Sequence, residues 1–205
     1  MLTAWLLVML GSAVSAGPPP PDYRVVLDEE FGRSLSVLNS AGRYREAIKR
    51  GGRIQRAIDR LPQVSYEIGY AHYQLGELDA AIRNYDAALL RDPGLTVARY
   101  DRGEVYLQVG RHAAASADFL VVAHETPNHW AGHFRLAHMA GLSGDPDRFE
   151  QHLMDALQHG FRLDSVTADP DWNRFSRHVT LRPVLRKIIV LYGDEALLKW
   201  IGDRP

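Results

Sequence analysis

The chain has 205 residues, 46% of them hydrophobic, with 24 Lys and Arg against 25 Asp and Glu, a net charge of −1, and no cysteine. That length and apolar content suffice for a well-filled core, while the balanced charge lacks the basic face that phosphate-backbone binding needs and argues against nucleic acid as a partner. The lack of cysteine excludes disulfides, thiolate metal sites and cysteine nucleophiles together.

The N-terminus is apolar from Ala4 to Leu10 and then turns to small residues, with Ala13-Val14-Ser15-Ala16 before Gly17. This pattern predicts an export signal peptide over 1–16, cleaved after Ala16, which would place the mature chain in the periplasm of a bacterium or outside the cell. The apolar run falls short of the roughly 20 residues needed to cross a bilayer, so no stable membrane span is expected after cleavage. Prolines up to Pro21 fix extended backbone and open a linker over 17–27.

Beyond the linker, glycine recurs at Gly42, Gly76, Gly110 and Gly144 in constant steps of 34 residues. Reading outward from them gives four blocks without insertions, 28–61, 62–95, 96–129 and 130–163. The second block carries Ile68-Gly69, Tyr73, Leu75-Gly76, Ala81-Ile82, Tyr85, Ala88-Leu89 and Asp92-Pro93, and the third repeats the phase with Gly103, Tyr106, Gly110, Ala115, Phe119, Val122 and Pro127. Small residues suit positions where two helices cross closely, a glycine suits the left-handed end of a first helix, and proline ends a second helix. In period and in these positions the chain resembles the tetratricopeptide repeat family, a helix–turn–helix unit. The resemblance implies an all-α fold, a right-handed superhelical solenoid of antiparallel helix pairs.

The outer blocks are weaker. The fourth keeps Leu136, Ala137, Gly144, Leu153 and Ala156 but has Phe149 where alanine is expected and Phe161 in place of the closing proline. The first loses the small residue at Leu35 and gains Gly51-Gly52 inside its second helix. Glycine there costs roughly 1 kcal/mol each relative to alanine, so a kink or fraying is expected. Terminal repeats are atypical because one face meets solvent instead of a neighbour. Residues 164–205 read as a helical cap resembling the end-of-group tail of some bacterial arrays. Trp172, Phe175, Leu181, Leu185 and Ile188 would form a lid over the last repeat, and a short helix from Asp194 to Ile201 would add to it. The alternative for that last helix is self-association into a homodimer.

No catalytic or nucleotide-binding constellation is evident, and no cofactor is implied. His124 and His129 are too far apart, with Pro127 between them, to share a helix face as paired zinc ligands do. His129 and His133 are four apart but have no acidic third ligand at an evident spacing, so no metal site is assigned. Asp169 and Asp171 flank Pro170 as turn formers. The expected protein is therefore not an enzyme.

In the resembled family the first helix of each repeat lines a concave groove. Projected here, its facing positions are Tyr66, Tyr70, Tyr73 and Gln74, then Tyr100, Glu104, Leu107 and Gln108, then Phe134 and His138, with Glu29, Ser36, Asn39 and Ser40 from the first block. Steps of three and four return these residues to one helix face. Exposed aromatics offer contact area at low entropic cost, which suits a peptide or protein partner. The family's clamp for chaperone C-termini is excluded, because its cationic positions fall on Gly32, Ser36, Glu67, Val97 and Asp101, and two acids would repel a carboxylate. The expectation is an exported scaffold for protein binding. The alternative is an accessory subunit holding a small ligand or metal through the histidines of blocks three and four.

Overall fold

A computed structural model of the protein describes residues 23–58 and 61–202. The expected signal peptide and the proline run lie outside the described residues. The order is α1 (Tyr23–Ser40), α2 (Tyr44–Ala57), α3 (Pro62–Gln74), α4 (Leu78–Arg91), α5 (Thr96–Gln108), α6 (His112–Glu125), α7 (Trp130–Ser143) and α8 (Pro146–Gln158). A 3-10 turn (Leu163–Ala168), α9 (Pro170–Phe175), α10 (Leu181–Tyr192) and α11 (Glu195–Gly202) follow. No strand occurs among the described residues, and no helix there is long and apolar enough to cross a membrane.

The first helix starts earlier than expected. Residues 23–27 belong to α1 and not to a linker, because nothing after Pro21 breaks a helix. Consecutive helices then pair as α1/α2, α3/α4, α5/α6 and α7/α8, and each first helix also meets the preceding pair. The four periodic glycines sit at the turns within the pairs with φ of +70° to +74°. A Cβ at Gly42, Gly76 or Gly110 would touch nothing within 4 Å, so the left-handed backbone is what requires glycine there.

Inside the second and third pairs one small and one large residue meet. A Cβ on Gly69 would lie 2.8 Å from the Tyr85 ring, and one on Gly103 would lie 2.7 Å from the Phe119 ring. The first pair exchanges these roles, since Leu35 replaces the small residue of the first helix and Gly51 replaces the aromatic of the second. A Cβ on Gly51 would fall 2.5 Å from Ile68 and 3.2 Å from Leu35. The expected fraying at Gly51-Gly52 does not occur: α2 runs unbroken from Tyr44 to Ala57. Buried Gly51 is the space into which Leu35 and Ile68 pack, and that contact holds the helix through its two glycines.

Packing between pairs also supplies missing caps. The N-terminus of α3 has Pro62 at its first turn and no side-chain cap of its own. Buried Asp28 of α1 accepts the Gln63 N–H at 3.0 Å and the Val64 N–H at 3.2 Å, which satisfies two of the donors left open at a helix start. A second polar tie joins α4, α5 and α6. Arg102 grips buried Asp118 with Nε at 2.9 Å and Nη2 at 2.7 Å, and Nη1 reaches Asp86 at 2.6 Å.

The C-terminal segment packs onto the last pair. Trp172, Phe175, Leu181, Leu185 and Ile188 are all buried, in one cluster with Phe149 and Leu153 of α8. α9 packs on α7 and α10 on α8, so the two cap helices stand where a fifth pair would. α11 buries Leu197 and Ile201 in the same cluster, and the Trp200 indole N–H donates to Asn173 at 3.2 Å.

Candidate ligand-binding groove

The periodicity brings the predicted groove residues onto the successive first helices α3, α5 and α7. Tyr66, Tyr70, Tyr73, Tyr100, Glu104 and Leu107 are half-buried, while Gln74 and Gln108 are exposed. From the first pair, Glu29 and Ser40 are exposed, Ser36 is half-buried and Asn39 is buried.

These residues are linked by a ladder of hydrogen bonds from one first helix to the next. Asn39 Nδ2 donates to the Glu67 carboxylate at 2.7 Å and to its main-chain oxygen at 2.9 Å. The Tyr66 hydroxyl donates to Asp101 at 3.0 Å. Arg135 Nε donates to the Tyr100 hydroxyl at 3.3 Å, and its Nη2 to Glu104 at 2.5 Å. His138 Nε2 meets the Asp171 carboxylate of the cap at 3.0 Å. Tyr66 and Tyr100 are therefore fixed by their hydroxyls, and their rings rest on Tyr85 and Phe119 at centroid distances of 5.9 and 5.7 Å. Tyr70 and Tyr73 are the tyrosines of the stripe that the ladder does not use.

The ladder also sets the charge of the groove. Glu67, Asp101 and Glu104 lie along it with Arg135 as the paired cation. Burial pushes the Asp101 carboxyl up to about 6, against the lowering effect of the Tyr66 hydroxyl. Burial likewise raises Glu67, with Asn39 and Ser36 opposing, and Glu104, with Arg135 opposing. Three carboxyl groups drawn out of water gain from any cation or N–H donor brought to them.

Two predicted positions are not open. Phe134 stacks on Phe161 at 4.2 Å and on Trp172 at 5.5 Å, and His138 is buried against the cap. The aromatic stripe is thus partly exposed over α3 and α5 and becomes cap packing at α7, because Phe161 and Trp172 cover Phe134 there. Leu107 and His138 also reach a cavity of about 1060 Å³ shared with Leu136, Met139, Leu142 and Asp171.

The histidines fall differently from their spacing. His129 is exposed, caps α7 by accepting the Ala131 N–H at 3.2 Å, and stacks on Trp130, so it forms no pair with His133. His133 instead meets His152 and Asp155 of α8, with one ligand-capable atom of each within 4.8 Å of the others. A similar grouping of His138, Asp169 and Asp171 is accounted for by its own bonds: Asp169 accepts the N–H groups of Asp171 and Trp172, and Asp171 also pairs with Arg174 at 3.0 Å. Sequence reasoning missed Arg135 and Asp155, since their partners lie 31 and 22 residues away on other helices.

A stack of antiparallel helix pairs, each closed by a left-handed glycine and lined by its first helices, defines the class of helical repeat solenoids. Within that class, the tetratricopeptide repeat model matches residues 37–95 and again 66–129. The chain is a tetratricopeptide repeat protein. It is 36% identical over 76 residues to a tetratricopeptide repeat and J domain-containing co-chaperone of Fusarium oxysporum f. sp. lycopersici, a stretch that covers 37% of this chain and 15% of that protein. Among solved structures, YrrB, described as a TPR protein with an unusual peptide-binding site, superposes with a TM-score of 0.64 at 13% identity, covering 82% of this chain and 87% of that one. A MamA double mutant gives 0.63 at 19% identity, covering 80% and 93%. Likeness at these identities is a likeness of fold.

Proposed function

We propose that the protein is an exported, non-catalytic scaffold whose groove over α3 and α5 takes an extended segment of a protein partner bearing a basic side chain. The observation that carries this reading is the pairing of partly exposed aromatic surface, at Tyr70 and Tyr73, with the carboxyls of buried Glu67 and half-buried Asp101 and Glu104. An arginine or lysine of the partner would stack on a tyrosine face and neutralise these acids. YrrB, of the same fold, is described as having a peptide-binding site, which is consistent with a groove of this kind. The Tyr70→Ala/Tyr73→Ala double variant should keep its helicity, because neither hydroxyl is part of the ladder, and should lose capture of the partner identified by crosslinking in cells. Unchanged capture would refute the groove.

Export is inferred from Ala4 to Leu10 and the Ala13 to Ala16 site. Intact mass of the protein recovered from the bacterial envelope should begin at Gly17, and a species retaining Met1 would contradict cleavage.

A further inference from the structure

The two helices of the last repeat bring together side chains that the groove does not use. His133 lies in the first turn of α7, while His152 and Asp155 lie in the second half of α8, so the antiparallel pairing sets them side by side at the end remote from Gly144. The Nδ1 atoms of His133 and His152 are both shielded from solvent and make no hydrogen bond. The nearest carboxylate oxygen to His133 Nδ1, on Asp155, is 3.7 Å away, beyond hydrogen-bonding distance. Buried ring nitrogens left in this way cost free energy unless something else satisfies them. His159 stands beside them, its ring stacked on that of His133 at 5.9 Å.

We propose that His133, His152 and Asp155 form a binding site for a divalent transition metal, with zinc the ion that suits the donor set best. Two imidazoles and one carboxylate form one of the three-ligand sets that zinc accepts, whereas calcium and magnesium call for oxygen ligands. Ligand atoms around a tetrahedral zinc sit about 3.4 Å apart at bond lengths near 2.0–2.1 Å, so the cluster closes by small side-chain rotations. Access is direct, because the side chains of His133 and Asp155 retain 16% and 36% exposure and His152 lines the cavity of about 1060 Å³. A metal here would tie the start of α7 to the end of α8, next to the point where Phe161 leads into the cap. The site uses none of the predicted groove residues, although the cavity beside His152 also reaches Leu107 and His138, and its test does not depend on any peptide.

Calorimetric titration of zinc chloride into the metal-stripped full chain should show one zinc per chain with micromolar or tighter affinity, and zinc should raise the melting temperature. Asp155→Asn, nearly isosteric and partly exposed, should weaken binding by more than the roughly 10- to 100-fold typical of losing a group that only supports a ligand. His152→Ala should do the same with unchanged circular dichroism, and exposed His124→Ala should bind as the parent does. Absence of zinc binding by the parent chain would overturn the proposal. So would full affinity in Asp155→Asn, or loss of binding on Asp171→Asn with Asp155→Asn unaffected.

Discussion

Individual side chains in this solenoid carry both structure and charge, and Asp101 shows the two in conflict. Its carboxyl is held at about 6 against an ordinary value of 3.8, so the folded state holds its proton more tightly than the unfolded chain does. The resulting stability is present in full below 3.8 and is lost as the pH rises through about 6. Asp101→Asn keeps an acceptor for the Tyr66 hydroxyl and removes the buried charge. Thermal melts should show it more stable than the parent by about 1–3 kcal/mol at pH 7.5, the gain vanishing near pH 4. Arg102 is the opposite case, a cation already paired. Arg102→Ala would leave buried Asp118 only the longer contact with Arg99 Nη1 at 3.8 Å and should cost about 2–3 kcal/mol by urea unfolding, with Arg102→Lys recovering only part because it cannot bind bidentately.

Among the elements, α2 separates what is legible in a sequence from what is not. The turn glycines, the small residues beneath Tyr85 and Phe119, and the closing prolines are local features repeated in phase, so they could be read directly. Gly51 could not, because its meaning lies in Leu35 and Ile68 on neighbouring helices, and only the exchange of large and small residues makes it a packing position. The two glycines should therefore respond in opposite directions. Gly52→Ala has only an Arg56 nitrogen at 3.8 Å to meet and should stabilise the protein by up to about 1 kcal/mol, whereas Gly51→Ala drives a Cβ into Ile68 and should destabilise it by about 1–3 kcal/mol. The same limit explains the site. Tyr70 and Tyr73 follow from the facing positions of the resembled family, but the Arg135 contacts, the Asp28 cap and the loss of Phe134 to the cap depend on residues far away in the chain.

At the scale of the whole molecule, the array is polar from one end to the other. Its middle pairs present tyrosines over buried and half-buried acids, and its C-terminal end turns the equivalent face into a core around Trp172. Because α11 buries Leu197 and Ile201, truncation after Gly193 should lower the melting temperature, and light scattering of the full chain distinguishes a capping helix from one that joins two copies. On the function proposed above, partners bind on the groove formed by α3 and α5. The most direct measurement places a photoreactive residue at Tyr70 in one protein and at Leu90, 80% exposed on the second helix α4, in another, followed by crosslinking in cells. A discrete partner crosslinked from position 70, absent from position 90 and competed by an arginine-containing peptide of that partner, is the predicted result. The same partner crosslinked equally from both positions, or from Leu90 alone, would contradict it.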